Sequence, residues 1–357
     1  VEEQTANTVL NPLVPHLKSM DLSWETSAIG TFKRYEIYRD TNPAVSTTDT
    51  LVGSFADVNA TNTTDSGLSI GQKYYYRLFV INSNDTYSSG YEQSATTVPI
   101  PFNLTDPMET VDNWDATGSW GVDTMHQHSG SAPLGDSPAA NYGIHESSYI
   151  QTAVDMTGSS WPVLKFWARY QLEAGDGCFV DVSPNGSNWY RRYGRRTVNR
   201  TEWQQQVIDL SEWKSADNLR IRFYFHSDGS ATTTADGWNI DDVEVVDYVP
   251  PPAGYPFSEG FEAGSSNWLC VSWQTTTNEP HTEAQALLSG PYESINNDVA
   301  HFAVLGQELD LTTATSPQLT YWMRREIGRE SQFRWEISSN AGVTWAQLGG
   351  TQVGQSQ

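Results

Sequence analysis

Cysteine is nearly absent from this chain: among 357 residues only Cys178 and Cys270 occur. Two thiols cannot build a disulfide framework, so the stability has to come from packed cores. Basic residues are scarce too, 20 Lys and Arg against 43 Asp and Glu, for a formal charge of −23. A field of that sign repels nucleic-acid phosphates and anionic lipid, so no nucleic acid is expected as a partner. No run approaches the ~18 continuous apolar residues of a membrane helix, and membrane insertion is not expected. Catalytic signatures are missing as well: no G-x-S-x-G elbow, no phosphate-binding glycine loop, no EF-hand spacing. His145-Glu146 opens like a zinc-protease motif but lacks the second histidine. No enzymatic activity is expected. The chain starts at Val1 without a Met or a signal-like run, as a processed or excised product would.

Aromatic residues, by contrast, are plentiful at 12 %, with 14 Trp and 17 Tyr, enough for packed β cores. Residues 15–100 read as short strands between turn residues: Leu17 to Trp24 and Arg34 to Arg39 alternate, and Lys73 to Ile81 is β-rich. Three segments carry a family likeness, namely Leu22-Ser23-Trp24, Tyr35 to Arg39, and Leu68-Ser69-Ile70-Gly71-Gln72-Lys73-Tyr74. They resemble a fibronectin type III domain. The resemblance implies a core tryptophan at Trp24 and a tyrosine corner at Tyr74, with Ile70 where the usual proline stands.

Beyond a short stiff linker, Val98 to Pro101, the chain repeats itself. Val154-Asp155-Met156-Thr157 and Leu164-Lys165-Phe166-Trp167 return as Leu309-Asp310-Leu311-Thr312 and Leu319-Thr320-Tyr321-Trp322. Met108-Glu109 is answered by Phe261-Glu262, and His128 by His281. So long a period marks duplicated domains, since solenoid units run to ~20–50 residues. A second linker, Val249 to Gly254, holds three prolines and favours an extended stretch. The copies resemble MAM-like or carbohydrate-binding-module-like jelly rolls of secreted prokaryotic proteins. The matching pieces are Asn113-Trp114, His128-Ser129-Gly130, Leu164 to Trp167, Asp176-Gly177 and Ile240-Asp241-Asp242-Val243. The expected fold is all-β: an N-terminal extension plus fibronectin type III-like domain over 1–100, a complete jelly roll over 101–249, and a partial second jelly roll over 250–357. Copy two has no counterpart to Trp203–Val245.

The resemblance implies a structural calcium joining the first-strand acid to the closing motif, with Glu109, Asp241 and Asp242 as ligands and Asp176 and Glu173 as outside choices. His126 and His128 read as structural, and Asp155, Asp209 and Asp310 as turn formers. Against the acidic average, Trp189, Tyr190, Arg191, Arg192, Tyr193, Arg195 and Arg196, with Arg200 beyond, concentrate guanidinium and aromatic surface. That combination suits stacking on sugars or docking to carboxylates, an acidic glycan or an acidic face of another subunit. Trp203, Trp213 and Trp238 read as core. Sequons at Asn59, Asn62, Asn84, Asn103, Asn185 and Asn199 support a secreted, glycosylated chain.

These features point to a non-catalytic extracellular or cell-surface protein with structural or adhesive work. Its expected partners are other copies of itself, neighbouring surface proteins and glycans. The incomplete second jelly roll suggests assembly into fibres by strand complementation, with Thr8 to Val14 as the donated strand. The competing expectation is an accessory carbohydrate- or substrate-binding region of a larger secreted hydrolase or peptidase.

Overall fold

The computed structural model describes residues 8–353 other than 197–198, 230–233, 249–254, 266, 272, 279, 283, 290–301, 325–331, 341 and 343. The proline linker Val249–Gly254 and the side chain of Arg196 therefore lie outside the described residues. The chain is nearly all β and divides into two compact units, with the boundary after Tyr248.

The first unit holds two separate cores. In the first core, a sheet of Val14–Pro15, Ser19–Ser23 and Asn62–Ser66 faces a four-stranded sheet, ordered Thr50–Phe55, Phe32–Asp40, Lys73–Asn82, Tyr91–Thr96. Apolar residues alternate along these strands, which puts Met20, Leu22, Tyr35, Ile37, Tyr76, Leu78 and Val80 inside. Trp24 is buried against Tyr35 and Phe55 at ring-centre distances of 5.6 and 5.3 Å. The Ser69 amide donates to the Tyr74 hydroxyl at 3.0 Å, which pins the corner between sheets.

The segment Thr8–Val14 corrects an expectation. Leu10 is fully buried beside Trp24 and bridges to it, the Thr8 hydroxyl donates to Glu25 O, and Glu25 N donates to Val9 O. Val14 pairs with Asp21. This stretch is the first strand of its own domain. Donating it would open that core.

The second core lies between two larger sheets. One is ordered Asp115–Ala116, Ser147–Asp155, Leu219–His226, Gly177–Ser183, Tyr190–Arg196, with Ile100–Pro101 added in parallel to Ser147–Asp155. Its opposite is ordered Gly121–Val122, Leu134–Gly135, Gly237–Asp247, Pro162–Gln171, Arg200–Asp209, with Leu104–Asp106 on Gly237–Asp247. Between them Phe223 meets Trp114, Phe166 and Trp238 at 5.1–5.6 Å, mostly edge-on. Asp155 and Asp209 cap the turns that leave their strands, each accepting the amide and hydroxyl of the residue two positions on. The Cys178 thiol is buried in this core, and burial pushes its pKa far up.

The linker Val98–Pro101 thus ends as part of a sheet, and further contacts join the two sandwiches. Lys18 Nζ donates to Trp114 O at 2.6 Å and to Val111 O at 3.2 Å. Asp115 accepts the Ile70 amide at 2.9 Å. Gly71, at φ +63°, presents its carbonyl to Asn218 Nδ2 and Arg220 Nη2 at 2.8 and 3.0 Å. A Cβ there would lie 2.6 Å from that of Ala153 and closer still to Asn218 Oδ1, so only glycine fits.

The second unit, taken by itself, shows three antiparallel pairs among its described residues: Trp268–Val271 with Phe302–Leu305, Trp273–Thr276 with Ala286–Ser289, and Gln332–Ile337 with Ala346–Val353. The repeat survives at atomic detail. Asp106 accepts the Met108 amide and Asn113 Nδ2, and Glu259 accepts the Phe261 amide and Asn267 Nδ2. His281 stacks on Trp322 as His128 does on Trp167, both with ring centres 4.0 Å apart.

Candidate functional site

Strand Leu219–His226 reads Leu-Arg-Ile-Arg-Phe-Tyr-Phe-His. Its odd members are buried in the core, and its even members, Arg220, Arg222, Tyr224 and His226, line the outer face of the sheet. Pairing places Tyr149 and Phe179 on either side of Tyr224, and Gln151 and Asp181 on either side of Arg222. These residues form a band across three strands, and Trp189 covers it from the neighbouring hairpin. The Arg222 guanidinium carbon sits 3.9 Å from the Trp189 ring centre, with Tyr224 at 5.3 Å and Tyr149 at 5.5 Å. Phe179 and Tyr224 stack at 6.0 Å, and Tyr224 and His226 at 6.4 Å.

Asp181 holds the band together. Buried to 3 % exposure, its carboxylate receives Arg191 Nε and Arg222 Nη2, both at 2.9 Å. One carboxylate between two guanidiniums leaves a net positive centre under aromatic rings. Arg222 Nε and His226 Nδ1 are buried there with no hydrogen-bond partner among the described residues, so the face holds unmet polar capacity.

The arginine- and aromatic-rich segment does not act as one surface, because alternation and a bulge at Val180/Asp181 split it. Trp189 and Arg191 join the outer band, Arg191 lying 3.7 Å over Phe179. Tyr190 and Arg192 turn instead toward Trp213, with Arg192 also paired to Glu212. Tyr193 packs against Phe166 in the core, and Arg195 is buried over Tyr193. Of the expected contact set, Trp189 and Arg191 thus stand on the outer face, Tyr190, Arg192, Tyr193 and Arg195 do not, and the Arg196 side chain lies outside the described residues. The rest of the band, Tyr149, Phe179, Asp181, Arg222, Tyr224 and His226, escaped sequence reading, although the alternation of Leu219–His226 carried the signal.

The expected calcium ligands also separate. Strand Gly237–Asp247 bulges where Asp242 adopts φ +47°, so consecutive carboxylates, Asp241 and Asp242, both reach the loop Gln127–Ser131. Asp242 meets His128 Nδ1 at 3.0 Å and the Ser129 hydroxyl at 2.8 Å, and Asp241 accepts the Ser129 amide at 3.1 Å. His128, Asp241 and Asp242 each bring a ligand atom within 4.8 Å of the others. Asp241 is fully buried, and burial first, then the neighbouring Asp242, raises its pKa. Glu109 holds the next turn of the loop through the Ser131 amide at 2.7 Å, outside that trio. Asp176 is bonded elsewhere, to the Tyr142 hydroxyl at 2.5 Å and the Asp228 amide at 2.8 Å. Its carboxylate is occupied in fixing those segments, and the Glu173 amide donates to the same Tyr142 hydroxyl. Neither belongs to the trio.

Among the tryptophans, Trp238 and Trp213 are core, whereas Trp203 stands half-buried 5.5 Å from His128. All six sequon asparagines are exposed. Asn185 and Asn199 use their side-chain oxygens locally, accepting the amides of Ser187 and Asn188 and of Leu172.

No family model and no curated protein matches the sequence. Solved structures do resemble it. The module TmCBM61, solved in complex with β-1,4-galactotriose, is 17 % identical over 41 % of this chain and 99 % of its own, with a TM-score of 0.31. The K2 cleaved adhesin domain of Lys-gingipain is 15 % identical over 40 % of this chain and 99 % of its own, at 0.30. A fibronectin-III-like protein from Clostridium thermocellum is 22 % identical over 24 % of this chain and 84 % of its own, at 0.21. Among the described residues no helix is long and apolar enough to cross a membrane.

Proposed function

We propose that this chain is a non-catalytic extracellular glycan-binding and adhesive protein, and that the outer face of the first jelly roll is its binding surface. The observation that carries this reading is the band of Trp189, Tyr149 and Tyr224 around Arg222. Sugar rings present apolar C–H faces and a rim of hydroxyls. Aromatic side chains set on rigid strands receive the first, and fixed arginine, carboxylate and amide groups receive the second. Asp181, Arg191, Arg222 and Gln151 supply such groups within one band.

Affinity electrophoresis of the full chain through gels containing galactan, xyloglucan or polygalacturonate tests the reading. Retardation in at least one gel, lost in Trp189→Ala with an unchanged melting temperature, is expected. Free migration in every gel contradicts it.

We further propose that Asp241 and Asp242 hold a structural calcium. Two carboxylates forced together by a left-handed aspartate suit an oxygen-seeking cation, and the Ser129 hydroxyl adds one further oxygen beside them. His128 orients Asp242 in this arrangement.

A further inference from the structure

Where the outer face reaches the fibronectin-like domain, it ends in a cleft. Arg220 stands two residues before Arg222 on the same face of the same strand, roughly 7 Å along it. Around it the two sandwiches enclose a cavity of about 230 Å³, lined by Gln72, Lys73 and Thr96 from one domain and by Asn185, Asn218 and Arg220 from the other. This is less than the ~300 Å³ at which pockets begin to enclose a whole ligand. It suits one group at the end of a longer molecule.

The charge of the cleft runs against the chain. With 43 acidic residues against 20 basic ones, the average surface is negative. Yet the lining of this cavity contains Lys73 and Arg220 and no acid. Among the described residues neither cation makes a salt bridge. Lys73 rests 5.1 Å over the Tyr75 ring, and Arg220 reaches only the Gly71 carbonyl and Gln72 Oε1, both at 3.0 Å. Asp115 acts on Arg220 through space only, its carboxylate being taken by the Ile70 amide and by Lys18 at 3.9 Å. Arg220 thus stands in a partly buried place with neutral hydrogen-bond partners. Arg191 and Arg192, in contrast, are paired with Asp181 and Glu212, and Arg195 is buried. Lys73 and Arg220 therefore give the cleft a positive lining.

We propose that this cleft binds the anionic group, carboxylate or sulfate, of an acidic glycan whose uncharged rings lie along the Trp189–Tyr224 face. The proposal rests on the glycan-binding reading above and adds the class of ligand. Lys73 and Arg220 supply the charge, while Gln72 and Asn185 border it with amides for neighbouring hydroxyls. Because the two halves of the cleft come from different domains, the docking of the sandwiches at Gly71 is part of the site.

Calorimetry on the full chain tests this with matched probes: tetragalacturonate against its methyl ester, and a sulfated galactan oligosaccharide against its desulfated form. At least one charged probe is expected to bind about tenfold more tightly than its neutral partner, and that pair identifies the group. Lys73→Glu is expected to remove the preference, leaving the neutral affinities and the melting temperature unchanged. Equal binding of charged and neutral probes, or a preference that survives Lys73→Glu, overturns the cleft while leaving the face intact. Binding of none of the four overturns the cleft, and the gel assay then decides the face.

Discussion

The guanidinium of Arg222 lies over the indole of Trp189, 3.9 Å from its ring centre, while the same guanidinium is tied to Asp181 at 2.9 Å. A residue on a central strand thereby fixes the orientation of an aromatic ring carried by a hairpin. Lysine offers a point charge without the planar surface that lies over Trp189 while one nitrogen reaches Asp181. Arg222→Lys is therefore expected to weaken glycan binding about tenfold, with little loss of fold. Titration followed by Trp fluorescence reads the affinity, and circular dichroism checks the fold.

Calcium is expected to raise the melting temperature of the full chain, and chelation to lower it. Asp242→Asn removes one charge from the bulge and with it most of that response. Since binding to the native state stabilises by ~2.7 kcal/mol at a hundred times the dissociation constant, a shift of several degrees is expected. Scanning calorimetry with calcium and with chelator gives the answer. Identical traces in the two conditions rule out a calcium site.

Asp136 gives a pH dependence of definite sign. Its carboxyl is fully buried, one oxygen accepts the Trp238 amide and the other has no partner among the described residues. Burial, aided by the nearby charge of Glu146, pushes its pKa up to about 8. The folded chain then keeps this group neutral at pH values where the unfolded chain has already ionised it. Its contribution is fully present below about pH 4 and is lost as pH rises to about 8, by up to ~1.4 kcal/mol per pH unit. Asparagine mimics the neutral acid. Asp136→Asn should resemble the wild type at pH 4 and melt higher at pH 9, and denaturant titrations at the two values measure the difference.

Gly71→Ala is expected to separate the two sandwiches. The added methyl meets Asn218 and Ala153 at a backbone angle that disfavours alanine. Two calorimetric transitions in place of one, together with weaker binding of acidic probes, are expected. A single unchanged transition contradicts rigid docking.

The sequence made the two sandwich cores of the first unit legible because their signals are local. Trp24, Tyr74 and the Asp155 and Asp209 turns each act within a few residues of themselves, and alternation fixes which side chains enter the core. The Asp241–Asp242 pair was legible through its motif, but its partner was not. His128 reaches Asp242 across 114 positions of chain, and neither composition nor spacing encodes that contact. The arginine segment was over-read for a related reason. Successive side chains from Trp189 to Arg195 point in opposite directions along a bulged hairpin, so nearness in sequence put Trp189 and Tyr193 together where the fold puts a sheet between them. The cleft was the least legible feature, since Lys73 and Arg220 come from different domains and meet only because Gly71 lets the backbones approach. Thr8–Val14 read as apolar enough to be donated, and the same apolarity draws Leu10 into its own core.

The most direct measurement is an array of neutral and acidic oligosaccharides probed with the full chain and with a Trp189→Ala/Tyr224→Ala variant of equal melting temperature. The glycan-binding face requires a defined set of bound sugars for the wild type and none for the variant. An empty array for the wild type, or the same bound set for both proteins, contradicts it.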